Sequence, residues 1–304
     1  MSLLSSLKGK GPTGFGYGST AEQVTEGLDL SGKRYLVTGV SSGLGAETAR
    51  VLALRGATVV GLARSQEKAD AAVASLGHEA VGVACELADP ASVRAAVGTV
   101  LEGDTLDGII ANAGIMALPK LQQAHGYELQ FFTNHIGHFL LVTGLLGHLR
   151  DGARVVMLSS AAHQMAPQGG IEFENLSGER AYTGWRAYGQ AKLSNLLFAR
   201  ELSRRLEGSG KTANAVHPGV IATNLGRHMN PLMNVGMAVA NPLFMKSIPE
   251  GAATQVYVAV HPDAASVSGE YWADCNLKGS SAYGRDLGLA TRLWERSEAI
   301  AAEV

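Results

Sequence analysis

A tyrosine and a lysine stand four residues apart in the segment Tyr188-Gly-Gln-Ala-Lys192. Residues at this spacing lie on the same face of a helix, so a helical segment would place a phenol beside an ammonium group. An unperturbed tyrosine titrates near about 10, and a nearby cation stabilises the phenolate and lowers its pKa. The pair is therefore predicted to donate and accept a proton. The same spacing occurs on many solvated helices, so its position in the fold must decide.

Two features of the chain give the pair that position. A buried run ending in Leu158-Ser159-Ser160 precedes it, and doubly wound proteins build their sites at the carboxyl ends of strands. The segment Thr38-Gly-Val-Ser-Ser-Gly-Leu-Gly45 joins the first apolar run to a helical segment. Glycines there allow the backbone to approach a pyrophosphate at a helix N-terminus. The alternative is a glycine-rich turn without a ligand.

The glycine spacing is GxxxGxG rather than GxGxxG, and Ala111-Asn-Ala-Gly114 follows the fourth apolar run. With the YxxxK pair, these motifs resemble the short-chain dehydrogenase/reductase family from about Lys33 to Cys275. The segments YGQAKLSN, HPG and GYGSTAEQV, with the 27 residues between Ser160 and Tyr188, most resemble its retinol-dehydrogenase-like branch. Members of that branch act on retinoids, steroids and other lipophilic alcohols or carbonyls.

The resemblance implies a catalytic tetrad of Asn134, Ser160, Tyr188 and Lys192. In it, Ser160 holds the substrate oxygen, Tyr188 transfers the proton, Lys192 also contacts the nicotinamide ribose, and Asn134 holds a water in the proton relay. The cofactor performs the hydride chemistry while the protein fixes geometry and charge. Reduction of a carbonyl and oxidation of an alcohol both remain open.

The resemblance also implies a set of cofactor-binding residues along the carboxyl edge of the sheet. They are Gly39, Ser41, Ser42, Gly43, Leu44, Gly45, Arg64, Glu86, Leu87, Asn112, Ala113, Gly114, Tyr188, Lys192, Pro218, Gly219, Val220, Ile221 and Thr223. Glu86 stands where the family usually places an aspartate that touches the adenine.

Arg64 decides the choice of cofactor. It follows the second apolar run, where an acidic residue would bind the ribose 2′-hydroxyl of NAD. An arginine can instead pair with the 2′-phosphate that NADP carries and NAD lacks. NADP is the predicted cofactor, NAD stays possible, and a solvated surface arginine is the alternative for Arg64.

Composition excludes several classes of function. The net charge of −2 provides no broad positive field for nucleic acid or an anionic membrane, so a small-molecule substrate is expected. The two cysteines have no disulfide or zinc spacing. His135 and His138 lie three apart without an HExxH motif, so no metal is expected. The chain has no signal-peptide pattern and no apolar run of transmembrane length, which predicts a soluble, cytoplasmic protein without an integral membrane segment.

Periodicity predicts an α/β fold. Apolar runs over 34–39, 59–63, 81–85, 106–112, 153–160, 212–217 and 269–275 alternate with helical patterns over 44–56, 66–76, 89–102, 123–149 and 185–207. Asp89 followed by Pro90 is a helix start signal. This alternation predicts a doubly wound, Rossmann-type parallel sheet of about seven strands, with helices on both faces.

We expect two parts in the chain. Residues 1–30 form a leader whose short helix opens at Ser19 and Glu22, which have the spacing of a capping box. Residues 31–304 form a single dinucleotide-binding and catalytic domain with a substrate lid at about 220–250. The lid holds four methionines, which are either core residues or an adaptable apolar cover: Met229, Met233, Met237 and Met245. The segment between Ser160 and Tyr188 either walls the substrate pocket or obstructs a subunit interface, so monomer and homo-oligomer both stay open.

These features predict an NADP-dependent alcohol dehydrogenase or carbonyl reductase. A bulky lipophilic or aromatic ketone, aldehyde or secondary alcohol is the expected substrate. One alternative is a redox sensor or scaffold that binds NADP without turnover. Another is a nucleotide-sugar epimerase, which would require a TGxxGxxG loop and a larger C-terminal substrate domain.

Overall fold

The computed structural model describes residues 9–77, 79–221 and 245–304. The strands in these residues are β1 (Arg34–Thr38), β2 (Thr58–Ala63), β3 (Val81–Ala84), β4 (Leu106–Ala111), β5 (Gln123–Ala124), β6 (Tyr127–Glu128), β7 (Leu149–Leu158), β8 (Thr212–His217), β9 (Tyr271–Ala273) and β10 (Asn276–Leu277). None of the helices in this described part is both long and apolar enough to cross a membrane.

The longer helices surround these strands. They are α1 (Gly43–Leu54), α2 (Gln66–Val73), α3 (Pro90–Leu101), α4 (129–145), α5 (Gly184–Arg205), α6 (Ile248–Val260) and α7 (Leu287–Glu303). The helix α4 has three successive segments, in which an α-helical turn (Leu129–Phe131) and a π-helical segment (Phe132–Ile136) lead into an α-helix (Gly137–Leu145).

Eight strands form one sheet in the order β10-β9-β8-β7-β4-β1-β2-β3. Every pair is parallel except β9 with β10. Leu36 packs into the core on one side with α3, α4 and α5, and its neighbour Val37 packs on the other side with α1 and α6. This two-sided burial explains the continuous apolar runs and confirms the predicted doubly wound α/β fold.

The last strand differs from its prediction. The run over 269–275 is not one strand, because the chain turns at Asp274 and Cys275, whose φ angles are 54° and 60°. These left-handed conformations return the chain along the edge of the sheet as β10. Within the described ranges the sheet therefore has eight strands rather than about seven.

Two helix predictions also need correction, and two helices were not predicted. The segment over 123–149 begins with the β5–β6 hairpin and ends where β7 starts at Leu149, so only its middle is helical. The leader contains a 3-10 helix, Gln23–Thr25. The two reciprocal backbone-to-side-chain bonds of a capping box form between Thr20 and Gln23, and not between the predicted Ser19 and Glu22. Helices α6 and α7 were not predicted, although Ser247 and Glu250 form a full capping box at the start of α6.

The C-terminal helix α7 covers the outer face of α5. Trp294 stacks on Phe198 with ring centroids 5.3 Å apart and planes 4° from parallel. The Arg205 guanidinium lies over the same indole ring, 4.2 Å from its centroid. Leu293 joins Leu197 in the same cluster of buried residues. The helix that carries Tyr188 and Lys192 is therefore held between the sheet and the end of the chain.

We expect Trp294→Ala to lower the free energy of unfolding by about 3–5 kcal/mol, because it removes a large buried ring from this contact. Urea denaturation of the purified protein measures the change. Leu287→Ala is the matched control, since Leu287 lies on the same helix but is 56% exposed, and its effect should stay within about 0.5 kcal/mol. Equal effects of the two substitutions would contradict the packing role of Trp294.

Candidate active site

Tyr188 and Lys192 lie on the buried face of α5, where their side chains are neighbours. The Lys192 ammonium is 5.7 Å from the centroid of the Tyr188 ring. A Cβ atom at Gly189 would lie 2.8 Å from the backbone oxygen of Ala162. Because glycine has no Cβ, α5 can approach the segment that follows Ser160 this closely. The structure therefore brings the predicted tyrosine, lysine and serine together.

The carboxyl end of β7 anchors the lysine. Lys192 Nζ donates to the backbone oxygen of Leu158 at 2.8 Å, and Asn195 Nδ2 donates to the same oxygen at 3.1 Å. Ser159 Oγ in turn donates to the backbone oxygen of Lys192 at 2.7 Å. Ser159, the first of the two serines, thus fixes the helix, while Ser160 stands next to Tyr188.

Burial sets the proton affinities of the pair. It raises the pKa of Tyr188 to about 12, against a smaller lowering effect of the Ser160 hydroxyl. It lowers the pKa of Lys192 to about 7, because a charged amine loses its hydration there. Burial is therefore the largest influence on the pKa of Tyr188, and it acts against the lowering expected from the neighbouring lysine.

A histidine that the sequence analysis missed orients Ser160. Ser160 starts a 3-10 helix, Ala161–Met165, and its hydroxyl accepts from the Ala162 amide at 3.1 Å. His163 Nδ1 lies 2.6 Å from the Ser160 backbone oxygen, and its Nε2 accepts from the Ser281 amide at 3.0 Å. The ring therefore carries its hydrogen on Nδ1, which donates a hydrogen bond to the Ser160 backbone oxygen. Its partner Ser281 is 118 residues away, so local sequence gave no signal of this role.

Asn134 lies in the π-helical segment of α4, a type of irregularity that is frequent at functional sites. Its amide oxygen accepts from the Ile115 backbone amide at 2.8 Å, and its amide nitrogen donates to the Ile115 oxygen at 2.9 Å. A Cβ atom at Gly114 would lie 2.9 Å from Asn134 Oδ1 and 3.6 Å from Lys192 Nζ. Asn134 and Lys192 therefore lie on the same side of the turn after β4.

The glycine loop has the shape of an anion cradle. Gly39 and Gly43 adopt φ angles of 76° and 60°, and a Cβ atom at Gly45 would lie 2.2 Å from the Gly39 oxygen. Ser42 precedes α1 in an extended conformation, and its side chain caps none of the first-turn amides. Helix-terminal amides without a side-chain cap suit a phosphate, so the loop, with the exposed Ser41 and half-buried Leu44, fits a pyrophosphate.

Helix α6 packs against this loop and against α1. Gln255 Nε2 donates to Thr48 on α1 and, at 3.2 Å, to the Asn112 side-chain oxygen. A Cβ atom at Gly251 would lie 2.5 Å from Ile221 and 2.8 Å from Leu44. One helix thus contacts both the glycine loop and the chain after β8. Neither these contacts nor α6 itself was predicted from the sequence.

The loop after β8 is held by a buried lysine. Gly219, which follows Pro218, has a φ angle of 98°, and a Cβ atom there would lie 2.8 Å from Lys246 Cδ. The Lys246 amide donates to the Val220 oxygen at 2.9 Å, and its ammonium pairs with Asp274 at 2.7 Å. We call Lys246 and Asp274 the lid-root ion pair.

Part of the predicted lid lies outside the described residues. Thr223, Met229, Met233 and Met237 belong to that part, whereas Met245 is described and buried. The division of the chain into leader, domain and lid stays a prediction.

The predicted adenosine contacts lie on the turns after β2 and β3. Arg64 directly follows β2 and is exposed. The Glu86 carboxylate accepts from the Ala88 amide at 3.2 Å, so it already stabilises its own turn. Leu87 is buried, and a Cβ atom at Gly137 would collide with its carbonyl oxygen. Because Gly137 has no Cβ, α4 can pack closely against this turn.

The histidines of α4 have packing partners. His135 Nε2 lies 2.8 Å from Ser297 Oγ, and the two ring nitrogens of His138 contact Thr38 and Asn134. In the part of the chain that the structure describes, no group of three or more histidine, cysteine or acidic side chains could hold a metal ion.

Comparison with known proteins gives matches over most of the chain. Residues 33–233 match the short chain dehydrogenase family. The chain is 40% identical over 316 residues to "Short-chain dehydrogenase TIC 32 A, chloroplastic" of Brassica napus, with 98% of each chain covered. It is 38% identical over 296 residues to "Retinol dehydrogenase 14" of Homo sapiens, with 88% of this chain and 86% of the relative covered. A short chain dehydrogenase of Burkholderia cenocepacia in complex with NADP has a TM-score of 0.64 at 28% identity, covering 80% of this chain and 96% of that chain.

The buried amine leads to a prediction about pH. Lys192 binds its proton with a pKa of about 7 in the folded chain and near the ordinary value of 10.5 when unfolded. Between these values the unfolded state binds more protons, so the free energy of unfolding gains a term that rises with pH. We therefore expect the wild-type stability, minus that of Lys192→Met, to increase from about pH 7 to about pH 10.

Urea denaturation of both proteins across this range provides the measurement. Lys68→Met removes an exposed lysine from α2 and serves as the control, for which no such rise is expected. A difference between wild type and Lys192→Met that stays constant with pH would contradict the lowered pKa of Lys192.

Proposed function

Because the chain belongs to the short-chain dehydrogenase family, we propose that it is an NADP-dependent oxidoreductase that moves a hydride between the nicotinamide and a carbonyl or alcohol carbon. The observation that carries this proposal is the buried Tyr188–Lys192 pair beside Ser160, at the carboxyl end of β7. A structural tyrosine and lysine on a solvated helix would not be buried next to a serine at this edge of the sheet.

Each site residue has a distinct role in the proposed reaction. The amides at the start of α1 would hold the pyrophosphate, and Lys192 would contact the nicotinamide ribose. The bound cofactor supplies or accepts the hydride. In reduction, the hydroxyls of Ser160 and Tyr188 hydrogen-bond the carbonyl oxygen, and Tyr188 gives its proton to that oxygen as negative charge develops there. Because burial raises the pKa of Tyr188 to about 12, the phenol holds its proton until the substrate oxygen takes it.

Arg64 supports the choice of NADP over NAD. It is exposed at the end of β2, where a 2′-phosphate could pair with it, and a glycine loop after the adjacent β1 would place the adenosine nearby. The solved relative from Burkholderia cenocepacia is in complex with NADP, which supports the same choice.

Apolar side chains around Tyr188 support a lipophilic substrate. Trp185 meets the Tyr188 ring edge-on at 6.1 Å, one turn earlier on α5. Met165 and Val220 are 50% and 58% exposed on the chain segments that follow Ser160 and β8. The Met165 backbone packs against Gly189, the residue after Tyr188. Exposed apolar groups on segments that adjoin the proposed site suit a bulky aromatic or lipophilic ketone, aldehyde or secondary alcohol. The relative named retinol dehydrogenase has a name that indicates a substrate of this kind.

We expect Tyr188→Phe to lower kcat by about 100-fold or more, because it removes the proton donor, while NADPH affinity stays nearly unchanged. The assay follows oxidation of NADPH with a panel of bulky aromatic ketones, steroids and long-chain aldehydes. Tyr127→Phe is the matched control, since its phenol contacts Glu303 on the protein surface.

Two results would argue against the proposed reaction. Full activity of Tyr188→Phe would remove the tyrosine from the chemistry. Tight NADPH binding by the wild-type protein without turnover of any substrate would favour a redox sensor or scaffold.

We expect Arg64→Ala to weaken NADPH binding by about 10-fold to 100-fold, the range for charged hydrogen bonds worth about 1.5–3 kcal/mol, and to leave NADH binding unchanged. Titration of each cofactor against wild type and variant, followed by nucleotide fluorescence, measures the dissociation constants. Arg94→Ala removes an exposed arginine that bonds the Ala301 carbonyl and is the control. Equal affinity of the wild-type protein for NADPH and NADH would overturn the assignment of Arg64.

A further inference from the structure

A fully buried histidine connects the glycine loop with the π-helical segment of α4. We infer that His138 is a positioning residue, which holds the backbone carbonyl of Asn134 in place for the proposed reaction. This inference rests on the proposed function, because it assigns His138 a role in the proton transfer by Tyr188 and Lys192.

The Thr38 hydroxyl sets the first direction. Its oxygen accepts from the backbone amides of Asn112 and Ala113, each at 2.9 Å. His138 Nε2 lies 2.9 Å from the same oxygen. A hydroxyl has two acceptor positions and one hydrogen, so with both acceptor positions filled it can only donate to His138. His138 Nε2 is therefore the acceptor.

The second direction follows from the tautomer. A neutral imidazole that accepts at Nε2 carries its hydrogen on Nδ1. His138 Nδ1 lies 2.9 Å from the Asn134 backbone oxygen, so it donates to that carbonyl. Burial lowers the pKa of His138 to about 4, which keeps the ring in this neutral form at physiological pH. The bonds form one directed chain from the turn after β4, through Thr38 and His138, to Asn134.

The series of hydrogen bonds returns from Asn134 to the turn after β4. The Asn134 side chain bonds the backbone of Ile115, which lies three residues beyond Asn112 at the start of the chain of bonds. Gly114, between them, faces both Asn134 and the Lys192 amine. A shift of the Asn134 carbonyl would therefore change the surroundings of Lys192. Among the described residues His138 hydrogen-bonds to none of the reacting groups, although the Lys192 charge lies close enough to disfavour its protonation. It would act on the reaction mainly by holding the Asn134 carbonyl.

Two amide variants distinguish the two hydrogen bonds that the His138 ring makes, one to Thr38 and one to the Asn134 carbonyl. The side-chain nitrogen of an asparagine can take the place of Nδ1, so His138→Asn keeps the donor to Asn134 and loses the Thr38 contact. A glutamine reaches the place of Nε2, so His138→Gln keeps a partner for Thr38 and loses the Asn134 donor. We expect kcat of His138→Asn to stay within about threefold of wild type and that of His138→Gln to fall about tenfold or more, with similar KM for NADPH in both.

Three further measurements make the outcome decisive. Thermal unfolding and NADPH binding of both variants report structural damage, which should be similar in the two. The pH profile of kcat/KM should shift in His138→Gln and not in His138→Asn, because only the former disturbs the surroundings of Lys192. Equal losses of kcat in both variants, in proportion to their losses of stability, would overturn the inference.

A measurement on the wild-type protein needs no variant to fold. Nitrogen NMR of ¹⁵N-histidine-labelled protein identifies the ring tautomer, and we expect His138 to carry its hydrogen on Nδ1. A hydrogen on Nε2 would overturn the inference. An inactive wild-type protein with the expected tautomer would instead count against the proposed function, so the two failures are distinguishable.

Discussion

The burial of the Lys192 amine is the constraint on which the site depends. An amine that leaves water must find a hydrogen-bond acceptor, and the acceptor here is the last carbonyl of β7, at Leu158. That bond requires α5 to pack tightly on the end of the strand, which Gly189 permits and Ser159 secures. Tyr188 then lies beside Ser160 as a consequence of helix geometry. The arrangement of the pair therefore follows from how one helix meets one strand.

The site also requires that its loops be held in fixed positions, because the remaining candidate residues lie on turns at the carboxyl edge of the sheet. Helix α6 provides this restraint through Gln255 and Gly251, which contact the glycine loop and the chain after β8. The lid-root ion pair adds a link from the same loop to the β9–β10 turn. A buried ion pair of this kind contributes little net stability, since desolvation offsets attraction, but it defines which groups meet. Its value here lies in placing Gly219 and Val220.

The sheet and the YxxxK helix could be predicted because their signals are local. Apolar runs, Asp89 before Pro90 and the four-residue spacing of Tyr188 and Lys192 each depend on neighbours in sequence. The contacts that orient these groups are not local. His163 receives its direction from Ser281, and Gln255 reaches Asn112 across 143 residues. The capping box at Ser247 was a local signal that could have located α6. The direction of the pKa shifts was also beyond the sequence, because it depends on burial.

The pKa shifts of Tyr188 and Lys192 connect the charge of a bound molecule with proton transfer. Burial moves the pKa of Tyr188 up and that of Lys192 down, so both changes favour the uncharged forms of the pair. A positive charge brought into the same pocket would stabilise the phenolate and disfavour the ammonium, and so lower both pKa values. A negative charge would raise both. The low local polarity that the fold creates makes the pair sensitive to such charges, because Coulomb interactions weaken less there than in water. Proton transfer at Tyr188 is therefore expected to respond to the charge state of whatever molecule lies against it.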